Sequence, residues 1–184
     1  CHGAHPDDGV DPMPIAAGII QALQTVVSRN INAFHPALIS VTRLEAGHTW
    51  NVIPETAYLE GTVRTMDKED RVLAEKRMRE IVENTAKAYG GKAIFEWHPG
   101  SPAVYNDAKM VELAKKIATC RKLQVVPQEQ SMGGDDFSFY EESIPGCYIK
   151  IGTGVGQTIH QPGFKVDERV ILPASLYIAE LINS

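Results

Sequence analysis

Between Asp11 and Trp97 the sequence switches between two hydrophobic periods, and the order of the switches restricts the fold more than any other feature. Asp11-Pro12 reads as a helix N-cap followed by proline at the first helical position, where a missing N–H costs nothing. Ile15, Ile19, Ile20, Leu23, Val26 and Val27 then recur at helical spacing, which predicts an amphipathic helix to about Arg29. Residues 37–46 favour a strand that ends at Gly47. Residues 56–65 set Ala57, Leu59, Gly61 and Val63 against Tyr58, Glu60, Thr62 and Arg64, the two-residue period of a second strand. Asp67 and Asp70 match the cap and acidic first turn of another helix, expected to bury Ala74, Met78, Ile81, Val82, Thr85 and Tyr89 and to stop at Gly90-Gly91. Ala93 to Trp97 is then a further strand. Helix–strand–strand–helix–strand is a βαββαβ pattern without its first strand. It implies an α+β fold in which residues 12–97 form a three- or four-stranded antiparallel sheet with both helices on one face.

The turn-rich stretch His98-Pro-Gly-Ser-Pro102 marks a boundary, giving domains 1–99 and 100–184. Past it, Asn106 is expected to cap a helix carrying Met110, Leu113, Ala114 and Ile117. A short strand at 124–126, a Gly-Gly loop with a short helix over 131–142, a strand at 147–151 and a final helix over about 168–182 follow. Two short strands are too few to enclose a core, so this part also reads as incomplete. The chain opens Cys1-His-Gly-Ala-His-Pro without an initiator methionine, as if cut from something longer.

Charge and composition exclude several functions. A net charge of −5 with no basic stripe argues against nucleic acid as a partner. Apolar runs fall far short of the ~18 residues of a transmembrane helix, and no signal peptide opens the chain, so no membrane partner is expected. Cys1, Cys120 and Cys147 are too far apart for a metal or redox motif. They point to a reducing, cytoplasmic setting, with Cys120 and Cys147 as small buried hydrophobes.

His160, in the loop Gln157–Asp167 before the terminal helix, has the setting of a metal ligand, or of a solvated loop histidine. A metal needs three or four donors, and the remaining ones cannot be found in these 184 residues. Asn51, ahead of Val-Ile-Pro, can present its amide to a ligand or make an Asx-turn before Pro54. Arg64 ends a strand, where a planar guanidinium either clamps a carboxylate or pairs with a neighbour such as Glu60. Gly133-Gly134 lets backbone approach a ligand, while Asp135-Asp136 can simply cap the helix that follows.

Six stretches in this order resemble the second half of an M20-family metallopeptidase. They are His2-Gly-Ala-His-Pro with Val10-Asp-Pro12, Leu23 to Arg29, Asn51-Val-Ile-Pro54, Gly61-Thr-Val-Arg64, Ser131-Met-Gly-Gly-Asp-Asp-Phe-Ser138 and His160-Gln-Pro-Gly-Phe164. The similarity is to the amidohydrolase branch containing hippurate hydrolases, indole-acetyl-amino-acid hydrolases and N-acetyl-diaminopimelate deacetylases. It implies a ferredoxin-like lid and dimerisation domain over 1–99, lacking its first strand, and the closing part of an α/β zinc-peptidase-like catalytic domain over 100–184. It implies a homodimer formed through the lid, two divalent ions (Zn, Mn or Ni), and hydrolysis of the amide bond of N-acyl amino acids. His160 then matches the C-terminal metal ligand, expected to face a cleft. His2 matches a lid histidine that donates to the oxyanion in the other subunit's site. Asn51, Arg64, Gly133 and Gly134 match substrate-binding positions. The loop of the family commonly carries Glu where this chain has Asp135. The other metal ligands and the general base fall upstream of Cys1, so the chain alone is expected to be inactive. The rival reading is a non-catalytic dimerisation or binding module.

Overall fold

A computed structural model describes residues 1–154 and 159–184. Gln157 and Thr158 of the His160 loop lie outside the described residues. The chain divides into one unit of Cys1–Ala103 with Ser131–Gly134 and another of Val104–Gln130 with Asp135–Ser184.

In the first unit, α1 (Pro12–Asn30) begins where the Asp11 carboxylate accepts from Met13 N at 2.8 Å. Its buried stripe is Ile15, Ala16, Ile19, Leu23 and Val26. The hairpin strands β1 (Ala37–Ala46) and β2 (Ala57–Thr65) pair antiparallel, with Leu38 opposite Arg64 and Ile39 opposite Val63. Helix α2 (Lys68–Ala88) starts at Asp67, whose side chain accepts from Glu69 N and Asp70 N. It ends in a Schellman turn: Gly90, at φ 77°, donates to Lys87 O, and Gly91 donates to Ala86 O at 2.9 Å. Both helices share one core with Ile39, Val41, Leu59 and Val63 from the inner face of the hairpin. Strand alternation puts Arg64, Thr62, Glu60 and Tyr58 on the other face, free of helices. A polar pair ties the α1–β1 loop to α2, with Nδ1 of the exposed His35 at 2.7 Å from Oδ2 of the buried Asp70.

The third strand is a correction. Ala93, Phe95 and Trp97 pack inward while Lys92, Ile94 and Glu96 are exposed, so the segment has strand periodicity. It makes no ladder, and the sheet among the described residues has two strands. Periodicity reports which side of an extended segment is buried. A strand also needs a hydrogen-bonded neighbour, and here the docking comes from α2 instead. Arg79 donates to Phe95 O at 3.1 Å, and its guanidinium lies 4.9 Å from the Phe95 ring.

In the second unit, α3 (Ala108–Cys120) packs with α5 (Ile171–Ile182) around Ile117, Ala118 and Tyr177. The Tyr177 hydroxyl, buried in that core, donates to Ala114 O at 3.1 Å. The short α4 (Phe137–Glu141) lies between them in sequence. Asp107, not Asn106, caps α3, accepting from Lys109 N and Met110 N. Asn106 is engaged otherwise: its amide takes both backbone groups of Tyr148, at 2.7 and 3.2 Å, as a neighbouring strand would. The strands expected at 124–126 and 147–151 likewise form no ladder among the described residues. Cys147 is half-buried, and burial pushes its thiol pKa up. Cys120 is exposed, against expectation, because it is the last residue of α3 and turns away from the Ile117–Ala118 stripe.

Candidate functional site

Two of the sequence-predicted residues meet at the start of the chain. Cys1 and Ile53 exchange backbone hydrogen bonds, His2 forms an antiparallel bridge with Val52, and Gly3 N donates to Asn51 O at 2.8 Å. His2 is thereby held beside Asn51 rather than trailing into solvent. Its Nδ1 accepts from Ala4 N at 3.0 Å. A ring nitrogen that accepts carries no proton, so the neutral imidazole presents Nε2–H as a donor. Asn51 is half-buried, and its Oδ1 accepts from the Thr49 hydroxyl at 3.1 Å. The Asx-turn alternative fails, because Ile53 N donates to Cys1 O instead. The amide nitrogen of Asn51 has no partner among the described residues. Beside this pair the 46–54 loop and the N-terminal turn enclose an open hollow of about 590 Å³. His48 and Trp50 line it, and Trp50 is 95% exposed. Sequence reasoning missed both, and the signal was an aromatic residue at the tip of a hairpin loop, where no packing requires one.

Arg64 and Gly134 meet within the same unit. A Cβ at Gly134 would stand 3.9 Å from Arg64 Nε and 3.0 Å from the Ser101 hydroxyl. The rival pairing of Arg64 with Glu60 is not made. Glu60 goes to Arg43 at 3.1 Å, and Arg43 also holds Glu45 and lies 5.2 Å from the Tyr58 ring. Among the described residues Arg64 spends only Nη1, on Val63 O at 2.9 Å. Its Nε and Nη2, the edge that grips a carboxylate side-on, carry no carboxylate among the described residues. Ser101 was missed because the turn holding it read only as a boundary.

Asp135 is occupied structurally. Its Oδ1 accepts from Phe137 N at 2.9 Å and its Oδ2 from the Tyr148 hydroxyl at 2.9 Å. The backbone bond, then the phenol, hold the Asp135 carboxyl below its usual range, and the same carboxylate holds Tyr148 above its own. A lowered carboxyl stabilises the fold above its unfolded pKa and loses that contribution as pH falls through the folded value. A raised phenol does so below its unfolded pKa and loses it as pH rises. Melting temperature should therefore drop below about pH 4 and again above about pH 10. Asp135→Asn should flatten both edges; unchanged profiles would show that this pair does not set them.

His160 sits at φ 70°, in the left-handed region, on a turn whose residues 159–163 are all exposed. The cleft expected around its ring is not formed among the described residues. Among the described residues no group of three or more His, Cys, Asp or Glu side chains stands close enough to hold a metal ion. The donor set present here does not complete a metal centre. No helix among the described residues is long and apolar enough to cross a membrane.

The chain matches peptidase family M20/M25/M40 over residues 6–184. It is 44% identical over 180 residues to N-acetylcysteine deacetylase of Bacillus subtilis (strain 168), covering 98% of this chain and 47% of that protein. It is 41% identical to N-acetyl-L-cysteine deacetylase of the same organism, covering 97% of this chain and 43% of that one. It superposes with a TM-score of 0.78 and 41% identity on a Bacillus subtilis dinuclear metal binding peptidase from the M20 family, covering 94% of this chain and 45% of that one. The chain thus spans about half the length of the curated relatives it matches.

Proposed function

Because the chain belongs to peptidase family M20/M25/M40, we propose that it is the substrate-gripping part of a metal-dependent amidohydrolase. The reaction is cleavage of the amide of an N-acyl amino acid, which yields a carboxylic acid and a free amino acid. The observation that carries this reading is the unspent Nε–Nη2 edge of Arg64 beside the bare Gly134, a cationic fork with no carboxylate of its own. A free carboxylate is what every N-acyl amino acid offers to such a fork. The N-acetylcysteine deacetylases, its relatives at 44% and 41% identity, support the same substrate class.

In this proposal each residue has a separate task. Arg64 holds the substrate carboxylate, with Asn51 offering its amide nitrogen to a substrate oxygen. The glycines at 133 and 134 let backbone approach the substrate. His2 donates from Nε2–H to the oxyanion that develops on the scissile carbonyl, from the partner subunit of a homodimer. His160 is one ligand of the metal site, and the completing donors are not among the described residues. Residues 1–99 serve as a ferredoxin-like lid and dimerisation domain, and 100–184 as the closing part of the catalytic domain. The setting proposed is the cytoplasm.

The test, made on the protein together with the segment that supplies the completing donors, is release of free amine from N-acetyl-L-cysteine and other N-acetyl amino acids after chelation, with Zn²⁺, Mn²⁺ or Ni²⁺ added back. Turnover that returns with metal is expected. His160→Ala should lower the metal bound per protein, measured by elemental analysis, and stop turnover. No amine release with any of the three ions would refute the reading.

A further inference from the structure

The gap over Gly134 is bounded by Arg64 and by the Ser101 hydroxyl, which nothing above has given a role. We infer that Ser101 is a specificity-determining residue: it donates its hydroxyl to the same substrate carboxylate that Arg64 grips. The inference rests on the amidohydrolase reading and deepens it, naming the second donor of the carboxylate subsite. Ser101 and Arg64 Nε converge on one point, 3.0 and 3.9 Å from where a Cβ at residue 134 would stand. Glycine leaves that point empty, and Gly134 is exposed, so the gap opens to solvent. Both donors border the gap that an acceptor would enter. Ser101 is half-buried, and its hydroxyl has no hydrogen-bond partner among the described residues. The chemistry fits an anion with two acceptor oxygens: a guanidinium edge takes one side and a neutral O–H the other. An amide in place of the carboxylate keeps one acceptor oxygen but loses the charge and sets its N–H₂ against the second donor, so the subsite disfavours it.

The arrangement also explains glycine at 134. A methyl group there would press on the Ser101 hydroxyl at 3.0 Å and stand between the donors and their ligand.

The experiment is a titration of the purified protein with N-acetylglycine and with N-acetylglycinamide, which lacks the carboxylate. The Arg64 Nε–Hε resonance reports occupancy of the subsite. For the wild type, the acid should shift that resonance and the amide should not. Ser101→Ala should weaken the acid roughly tenfold, the scale of one hydrogen bond to a charged group. Ser101→Thr, which keeps the hydroxyl, should restore affinity, and Gly134→Ala should abolish the shift. Equal acid affinity in Ser101→Ala and wild type overturns the inference, as does an Arg64 resonance that neither ligand moves. The amidohydrolase reading stands or falls separately, on amine release by the wild-type protein completed with the donors this chain lacks.

Discussion

Gly61→Ala is expected to destabilise the first unit by roughly 3 kcal/mol, more than an ordinary strand substitution, because the new methyl group has no volume to occupy. A Cβ at residue 61 would stand 2.4 Å from Ser40 O and 3.1 Å from Val41 Cα, both backbone atoms of the facing strand. Neither can rotate away as a flexible side chain could. The cause lies in β1, where the register slips between Val41 and Arg43 and leaves Thr42 as an extra residue. The bulge presses the Ser40 carbonyl onto β2 at its glycine, the residue such a close approach requires. Gly100→Ala supplies the control, since a Cβ there meets nothing within 4 Å. Urea denaturation of both variants decides the matter: a Gly61→Ala midpoint matching wild type would mean the strands are not pressed together there. The consequence reaches function, because Arg64 stands three residues along the same strand. A hairpin forced open at Gly61 re-aims the guanidinium, so carboxylate affinity should fall together with stability.

The elements that depend on local chemistry were legible in the sequence. Asp11 and Asp67 cap helices as read, the Gly90-Gly91 stop is a Schellman turn, and both hairpin strands fall where strands were expected over 37–46 and 56–65. Each of these is decided by a few consecutive residues. What failed depends on a second segment. The stretches 93–97, 124–126 and 147–151 have strand composition but no ladder among the described residues, because pairing belongs to the neighbour and not to the strand itself. Asn106 shows the same limit at one residue. Its composition suits a cap, yet Tyr148, 42 positions away, claims its amide and leaves the cap to Asp107. The candidate site divides along the same line. Residue types at His2, Asn51 and Arg64 could be named from motifs, but which alternative each adopts needed the fold. Ile53 N is spent on Cys1, Glu60 is spent on Arg43, and neither fact is written locally. Ser101 could not be found from sequence at all, since only folding brings it to Gly134.

In the proposed enzyme, completed by the donors this chain lacks, His2→Ala should lower kcat by roughly 10²- to 10³-fold while leaving KM within a few-fold of wild type, the pattern of a donor that acts only as charge develops on the carbonyl oxygen. The tautomer gives the reason for a neutral donor. Ala4 N occupies Nδ1, so the proton sits on Nε2 without the ring having to be charged. Backbone pairing of Cys1–Gly3 with Asn51–Ile53 fixes where that donor stands, so the lost rate should not be recovered by free imidazole added in solution. His2→Gln, whose amide keeps an N–H donor near the same reach, should recover part of it. A large rise in KM with unchanged kcat would instead make His2 a ground-state binding residue. The proposed dimer adds a sharper test. His2→Ala keeps its own His160, and His160→Ala keeps its own His2, so each variant alone is expected to be inactive. If the lid histidine serves the opposite subunit, mixing them pairs one intact metal ligand with one intact donor. Random exchange should then restore roughly a quarter of wild-type activity, since half the dimers are mixed and each has one working site. If His2 serves its own subunit, the mixture stays as inactive as its parts, because no subunit carries both groups.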